Sequence, residues 1–338
     1  MTVAGQPTSG VAALAAGDFG QLAACFTAGG VHVAIPAHGM LLLQPPVPSG
    51  TRLLVSVGVH GNETAPIEML AALLDSLALT PQALVPELLL VVGNPAAIAA
   101  GTRFVEADLN RLFGTARGAL VDAVVAGRAD AIMQASTDFF RREACRKWHL
   151  DLHTPIRPSC HARFAVIPAA ADDPAQLELC GWLGSAGIDA LLFNAAPAST
   201  YSAYSARTLG ACSCTLELGQ VGLFGGNLPD QLSATATALG LLVRGQVPVA
   251  AGARPLRFMV AQEIIKHSDA FQLHLDDATP NFTAFAPGAL VATDGERVVR
   301  VGPVTQYIVF PNPRVQPGQR AGLLLVHDVY GVDGSAVK

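Results

Sequence analysis

Along residues 53–245, short continuous apolar runs alternate with longer stretches whose apolar residues recur at helical spacing. Residues 52–59 are a near-continuous apolar run of the β type, which predicts a strand buried on both faces. Residues 64–79 follow with helical spacing and carry Pro66 in the first turn, where the missing N–H costs no hydrogen bond. Residues 88–92 form a second short buried run, stopped by Gly93-Asn94-Pro95. Residues 148–153 alternate strictly, 164–167 and 215–218 read as further strands, and 232–243 reads as a helix. This alternation predicts an α/β fold of the carboxypeptidase-like kind, a mostly parallel sheet flanked by helices.

The pattern changes near Pro255, after which short β runs are broken by turns. Asp294-Gly295 lies between apolar runs at 290–293 and 297–301, a two-residue hairpin signal. The expectation is therefore two units: an α/β domain over 1–254, with 1–48 as an N-terminal extension packed on it, and a smaller mainly β domain over 255–338.

A chain of 338 residues that is 51% hydrophobic has ample apolar surface for two such cores. Only 14% of residues are charged, the formal net charge is −5, and no Lys/Arg cluster occurs, so nucleic acid is not an expected partner. An anionic small substrate would need local arginines. Residues 11–24 are apolar and small, but they lack a positively charged start and are interrupted by Asp18 and Gly20, so a secretory leader is not expected. No stretch reaches the roughly 18–20 apolar residues of a membrane span. Six scattered cysteines show no disulfide framework, so a reduced, cytoplasmic setting is expected, and the sequons at Asn62 and Asn281 would carry no glycan. Oligomeric state is left open, a homo-oligomer included.

Two segments concentrate metal-binding chemistry. The strand at 52–59 ends at His60-Gly61-Asn62-Glu63, and a helix begins at once. A His-X-X-Glu pair at such a turn can aim both side chains at one point above the sheet edge, where open α/β sheets place their sites. Alone, His60 could equally cap the helix. In Trp148-His149-Leu150-Asp151-Leu152-His153, alternation puts His149, Asp151 and His153 on one strand face, opposite Trp148, Leu150 and Leu152. Burying three such groups is costly without partners. They are either a satisfied buried His–Asp pair or a metal site with His153 as third ligand and Asp151 behind it. Two histidines, one carboxylate and an open position make the catalytic zinc pattern, one Zn2+ per chain. The rival soft pair, Cys212 and Cys214, shares a face with Leu216 and reads as buried apolar cysteine.

Glu217 is a lone carboxylate in an apolar strand that ends at Gly219, placed to act as general base on a metal-activated water rather than as an exposed edge residue. Arg103 and Arg111 lie in a turn-rich stretch between the two metal segments, while Arg157 and Arg207 follow later. Guanidinium forks suit carboxylates, although any one arginine is equally an ordinary surface charge.

These strings, with Gly93-Asn94-Pro95, Asp108-Leu109-Asn110-Arg111 and Phe310-Pro311-Asn312-Pro313, resemble in type and order the succinylglutamate desuccinylase/aspartoacylase family of zinc amidohydrolases, over roughly residues 50–330. The resemblance implies zinc on His60, Glu63 and His153, Glu217 as general base, and Arg103 as the group that polarises the scissile carbonyl. It implies Asn110, Arg111 and Arg207 as the set that binds substrate carboxylates. The implied substrate is a small anionic N-acyl amino acid. Acetylaspartate-cleaving members carry a tyrosine four residues before the last arginine, where this chain has Ala203, and their C-terminal tyrosine has no clear match. Both departures favour the desuccinylase branch, so the expected reaction is hydrolysis of N2-succinyl-L-glutamate, the last step of the arginine succinyltransferase route. The alternatives are hydrolysis of another N-acyl amino acid, as in aspartoacylases, and a zinc-binding module without catalysis. A carboxypeptidase is a weaker reading.

Overall fold

The computed structural model describes residues 10–114, 117–142, 145–227, 229–246 and 254–328. The apolar N-terminal stretch folds as two short helices, α1 (Gly10–Ala16) and α2 (Gly20–Ala28), followed by strands β1 (His32–Ala34) and β2 (Met40–Gln44). Next come β3 (Thr51–Val57), α3 (Thr64–Leu79), β4 (Glu87–Val92), α4 (Pro95–Ala100), α5 (Val124–Phe140) and β5 (Arg146–His153). β6 (Arg163–Ile167), α6 (Leu177–Ser185), β7 (Ala190–Phe193), α7 (Tyr201–Leu209), β8 (Cys212–Leu218) and α8 (Pro229–Leu242) complete the α/β part. After it the described elements are strands: β9 (Leu256–Ile265), β10 (Phe271–Leu273), β11 (Thr283–Phe285), β12 (Leu290–Asp294), β13 (Arg297–Arg300), β14 (Gln306–Val309) and β15 (Arg320–His327).

β4, β3, β5 and β8 lie side by side and parallel, the centre of a 12-stranded sheet. The α/β expectation therefore holds, with additions that apolar pattern could not give. β2, from the N-terminal extension, pairs antiparallel with β4. β6 runs antiparallel to β8; it follows β5 through a loop without a helix, and parallel neighbours need a longer crossover. β9 pairs parallel with β7 and antiparallel with β15, so β9, β15, β14 and β11 continue the same sheet, while β10, β12 and β13 form a separate three-stranded one. The predicted hairpin is β12–β13, with Asp294 facing Arg297 and Gly295 at φ 61°. Residues 247–253, beside the expected boundary at 254, lie outside the described residues, as do 1–9 and 329–338 at the ends of the expected units.

Both faces of the central strands are covered. Leu53, Val55, Leu90, Trp148, Leu150 and Leu216 pack into one core with Leu70 and Leu74 of α3. Leu54, Leu89 and Val91 pack on the other side with Ile132 and Phe140 of α5. The predicted helix begins at Thr64, with Pro66 in its first turn and Glu63 at its cap. Two glycines shape the turn that precedes it. Gly58 holds φ 61°. A Cβ on Gly61 would stand 2.1 Å from the Ala97 carbonyl carbon, closer than any side chain could be accommodated.

Candidate metal centre

The carboxyl ends of β3 and β5 bring the two metal segments together. One ligand atom each from His60, Glu63 and His153 falls within 4.8 Å of the others, and all three residues are buried. The His60 and His153 rings meet edge to face at 5.0 Å. Both histidines turn Nδ1 toward the Glu63 carboxylate, His60 at 2.8 Å from Oε1 and His153 at 2.9 Å from Oε2. Their Nε2 atoms point away to carboxylates of their own: His60 to Asp108 Oδ1 at 3.0 Å, His153 to Asp151 Oδ2 at 3.1 Å. Holding each ring by its outer nitrogen fixes its orientation and leaves the inner nitrogen for a cation.

Glu63 is anchored on both oxygens. Arg103 donates to Oε1 at 3.0 Å and the Thr154 backbone N–H to Oε2 at 3.1 Å. The loop bearing Arg103 is tied to the metal turn, since Gly61 N–H donates to the Arg103 carbonyl at 3.1 Å. Burial works to raise the Glu63 pKa, but the positive fields of His153 and His60 overcome it and hold the carboxyl well below its usual range. Asp108 is likewise held low: burial opposes it, and the bond from His60 with the charge of Arg111 prevails. A compact anionic site faced by two imidazole nitrogens suits a divalent metal, and N,N,O with an open position is the donor set of catalytic zinc.

Glu217 stands beside this cluster. It is the register partner of His153 across β5 and β8. Its Oε2 is buried and makes no hydrogen bond. Burial pushes its pKa up to about 7; the Glu63 charge adds to the rise, and His153 and Arg103 resist it. A buried acid titrating near neutrality beside an open metal position is suited to carry a proton.

The remaining expected residues divide. Asn110 is buried in the short turn Leu109–Arg111, and its Oδ1 accepts the Tyr201 N–H at 2.9 Å, joining that turn to the start of α7. Arg111 is half exposed and lies 3.9 Å from Asp108 Oδ2. Arg157 reaches instead to Asp277, bonding its carbonyl and lying 4.0 Å from its carboxylate. Arg207, in the last turn of α7, is exposed, one turn beyond the buried Ala203. The residues brought to the metal centre are thus His60, Glu63, His153, Asp151, Glu217 and Arg103, with Asn110 and Arg111 adjoining through Asp108.

Sequence reading assigned no role to Asp108 or to Ser56, which donates to Asp151 Oδ1 at 2.5 Å. Asp108 opens Asp108-Leu109-Asn110-Arg111, and Ser56 is a hydroxyl within the apolar run 53–59, so both leave a signal in the sequence. Arg320 of β15 left none. Burial lowers its pKa and so does the neighbouring charge of Arg111, although the two are far apart in sequence.

Comparison with known proteins agrees with this geometry. Residues 49–242 match the model of the succinylglutamate desuccinylase/aspartoacylase catalytic domain, and residues 254–328 that of the AstE/AspA barrel-sandwich hybrid domain. Succinylglutamate desuccinylase of Erwinia tasmaniensis is 44% identical over 86% of this chain and 88% of its own length. The Burkholderia thailandensis enzyme of the same name is 43% identical over 85% and 83%. The solved succinylglutamate desuccinylase of Vibrio parahaemolyticus superposes with a TM-score of 0.81 at 32% identity, covering 88% of this chain and 89% of that one. That of Chromobacterium violaceum gives 0.77 at 33%, covering 91% and 97%. The chain is an amidohydrolase and belongs to the succinylglutamate desuccinylase/aspartoacylase family.

Proposed function

We propose that this chain binds one zinc ion on His60, Glu63 and His153 and hydrolyses N2-succinyl-L-glutamate to succinate and L-glutamate. The observation that carries the reading is the bare, buried Oε2 of Glu217 beside a convergent His-Glu-His cluster. When bound there, zinc supplies Lewis-acid polarisation and lowers the pKa of water from 15.7 toward ~7. A structural site would close its fourth position with a protein ligand; a proton-carrying carboxyl at that place favours catalysis.

Glu217 takes the proton of the attacking water as the oxygen adds to the amide carbonyl, then returns it to the departing amine nitrogen. Arg103, held at Glu63, faces the negative charge that develops on the carbonyl oxygen. The Asn110 side-chain NH2 and the Arg111 guanidinium bind substrate carboxylates, with Arg207 and Arg157 as outer members of the set. Arg320, paired with Glu263 at 3.4 Å and within the field of Arg111, is a further candidate for that set. Buried Ala203 stands where the acetylaspartate-cleaving branch has its tyrosine, which supports the succinyl substrate.

The catalytic unit is taken as residues 1–254 and the smaller β unit as 255–338. Among the described residues no helix is long and apolar enough to cross a membrane. A cytoplasmic setting and a place as the last step of the arginine succinyltransferase route fit this reading.

The test is succinate release by purified, zinc-loaded protein from N2-succinyl-L-glutamate, with N-acetyl-L-aspartate alongside. Preference for the succinyl compound, abolished by chelator, supports the proposal. Turnover of the acetyl compound alone keeps the chemistry and overturns the substrate.

A further inference from the structure

Beneath the metal centre, the polar face of β5 leads into a chain of buried groups that the hydrolysis itself does not touch. His149 is fully buried, with Nε2 2.9 Å from Ser56 Oγ and Nδ1 2.7 Å from Ser205 Oγ. Ser56 Oγ contacts Asp151 Oδ1, whose other oxygen meets His153 Nε2. At the far end, Ser205 Oγ lies 3.1 Å from Ser213 Oγ and 3.0 Å from the Ser202 carbonyl, while Ser213 Oγ lies 2.8 Å from that same carbonyl. Tyr201 closes the side, its ring against the edge of His149 at 4.4 Å.

Each hydroxyl has one proton to give, and that limits the direction of the bonds around His149. A carboxylate only accepts, so Ser56 donates to Asp151. The Ser56 oxygen then accepts from His149, which places the ring proton on Nε2. Among the described residues no carboxylate hydrogen-bonds to His149, and burial outweighs the charge of Asp151 and pushes its pKa down to about 4, so the ring is neutral and Nδ1 is bare. Ser205 therefore donates to Nδ1, the shortest of its contacts. Ser213 donates to the Ser202 carbonyl. This arrangement bonds both nitrogens of His149, and leaves the Ser205 contacts to the Ser202 carbonyl and to Ser213 without a proton.

From this geometry we infer that His149 is a positioning residue for the metal centre. Through Ser56 it aims the Asp151 carboxylate, which holds His153 with Nε2–H outward and Nδ1 toward the metal. Ser56 is the register partner of Asp151 on β3, so the relay adds a side-chain tie between the paired strands that carry the ligands. The inference rests on the zinc reading above. It explains why an apolar strand face carries a second histidine four residues before the ligand, where a buried polar ring costs free energy unless both nitrogens are bonded.

The experiment has two arms. In metal-free wild type with 15N-labelled histidine at pH 7, two-bond 1H–15N spectra should show His149 as the neutral Nε2–H tautomer. An Nδ1–H tautomer or an imidazolium would overturn the relay. By chelator competition, zinc affinity should fall about 10–100-fold in Ser56→Ala and in His149→Phe. His149→Gln should recover most of it, because its amide offers NH2 to Ser56 and a carbonyl to Ser205. Unchanged affinity in both Ser56→Ala and His149→Phe would overturn the inference. If His149→Phe does not fold, the wild-type spectrum and Ser56→Ala still decide. A wild type that binds no zinc refutes the metal reading itself, an outcome distinct from tight zinc with the wrong tautomer.

Discussion

His153 and Glu217 are register partners on adjacent parallel strands, so their side chains leave the sheet on the same face at its carboxyl edge. In the proposed mechanism one holds the metal and the other carries the proton. Glu217→Gln keeps the shape of the side chain and removes the base. Turnover should fall by about 10²–10⁴-fold, while zinc content by elemental analysis stays at the wild-type level. Wild-type turnover in this variant would end the assignment of Glu217.

The same residue makes a pH prediction. Its folded pKa, about 7, lies above the ordinary carboxyl value of 4.5. The folded state therefore binds the extra proton between these values, and folding stability is lost as pH rises through them. The penalty is absent below about 4.5 and complete above about 7. In metal-free protein, Glu217→Gln should raise the denaturation midpoint at pH 8 and leave it unchanged near pH 4, with a gap of at most roughly 3 kcal/mol. Equal midpoint shifts at both pH values would show that the carboxyl is not held protonated by burial.

Arg103 donates to Glu63 but is not a ligand. Removing one donor to a developing oxyanion costs about 2.7–4 kcal/mol in kcat. Arg103→Ala should lose kcat on that scale and keep its zinc. Loss of zinc in parallel with kcat would make Arg103 a positioning group for Glu63 instead.

Arg320 pairs with Glu263 at 3.4 Å and also feels the charge of Arg111, which is far from it in sequence. Arg320→Ala should raise KM for the succinyl substrate with little change in kcat, because it removes binding that ground and transition states share. A fall in kcat at constant KM would argue against a carboxylate-binding role.

Zinc should stabilise the fold, since the ligands converge only in the folded chain. At about 100 times the dissociation constant the gain is about 2.7 kcal/mol, read as a rise in melting temperature. His153→Ala should abolish that rise. A zinc-dependent rise that survives in His153→Ala would place the metal elsewhere.

Much of the fold was legible because local rules wrote it. β3, α3 and β5 follow from apolar runs, from Pro66 in the first helical turn, and from strict alternation. The hairpin at Asp294-Gly295 follows from backbone freedom at glycine. β2 was not legible as a sheet strand, because Met40–Gln44 is a short apolar run whose partner β4 lies after an intervening strand and helix. The reversed direction of β6 and the joining of β9 to β7 depend on pairing across the chain, which local pattern does not encode.

The site divides the same way. By itself the sequence determined the types and spacing of the candidate site residues: His60 and Glu63 on one turn, His153 on the polar face of a strand, and Glu217 as a lone carboxylate in another. Those follow from residue identity and a two-residue strand period, both local properties. Only the tertiary structure decided that Asp108 holds His60, that His149 and Ser56 stand behind Asp151, and that Arg320 pairs with Glu263. Those contacts join segments distant in sequence, and the burial that shifts Glu217 comes from how the strands and loops close over it. Proximity of that kind is a property of the packed chain, not of any stretch of it.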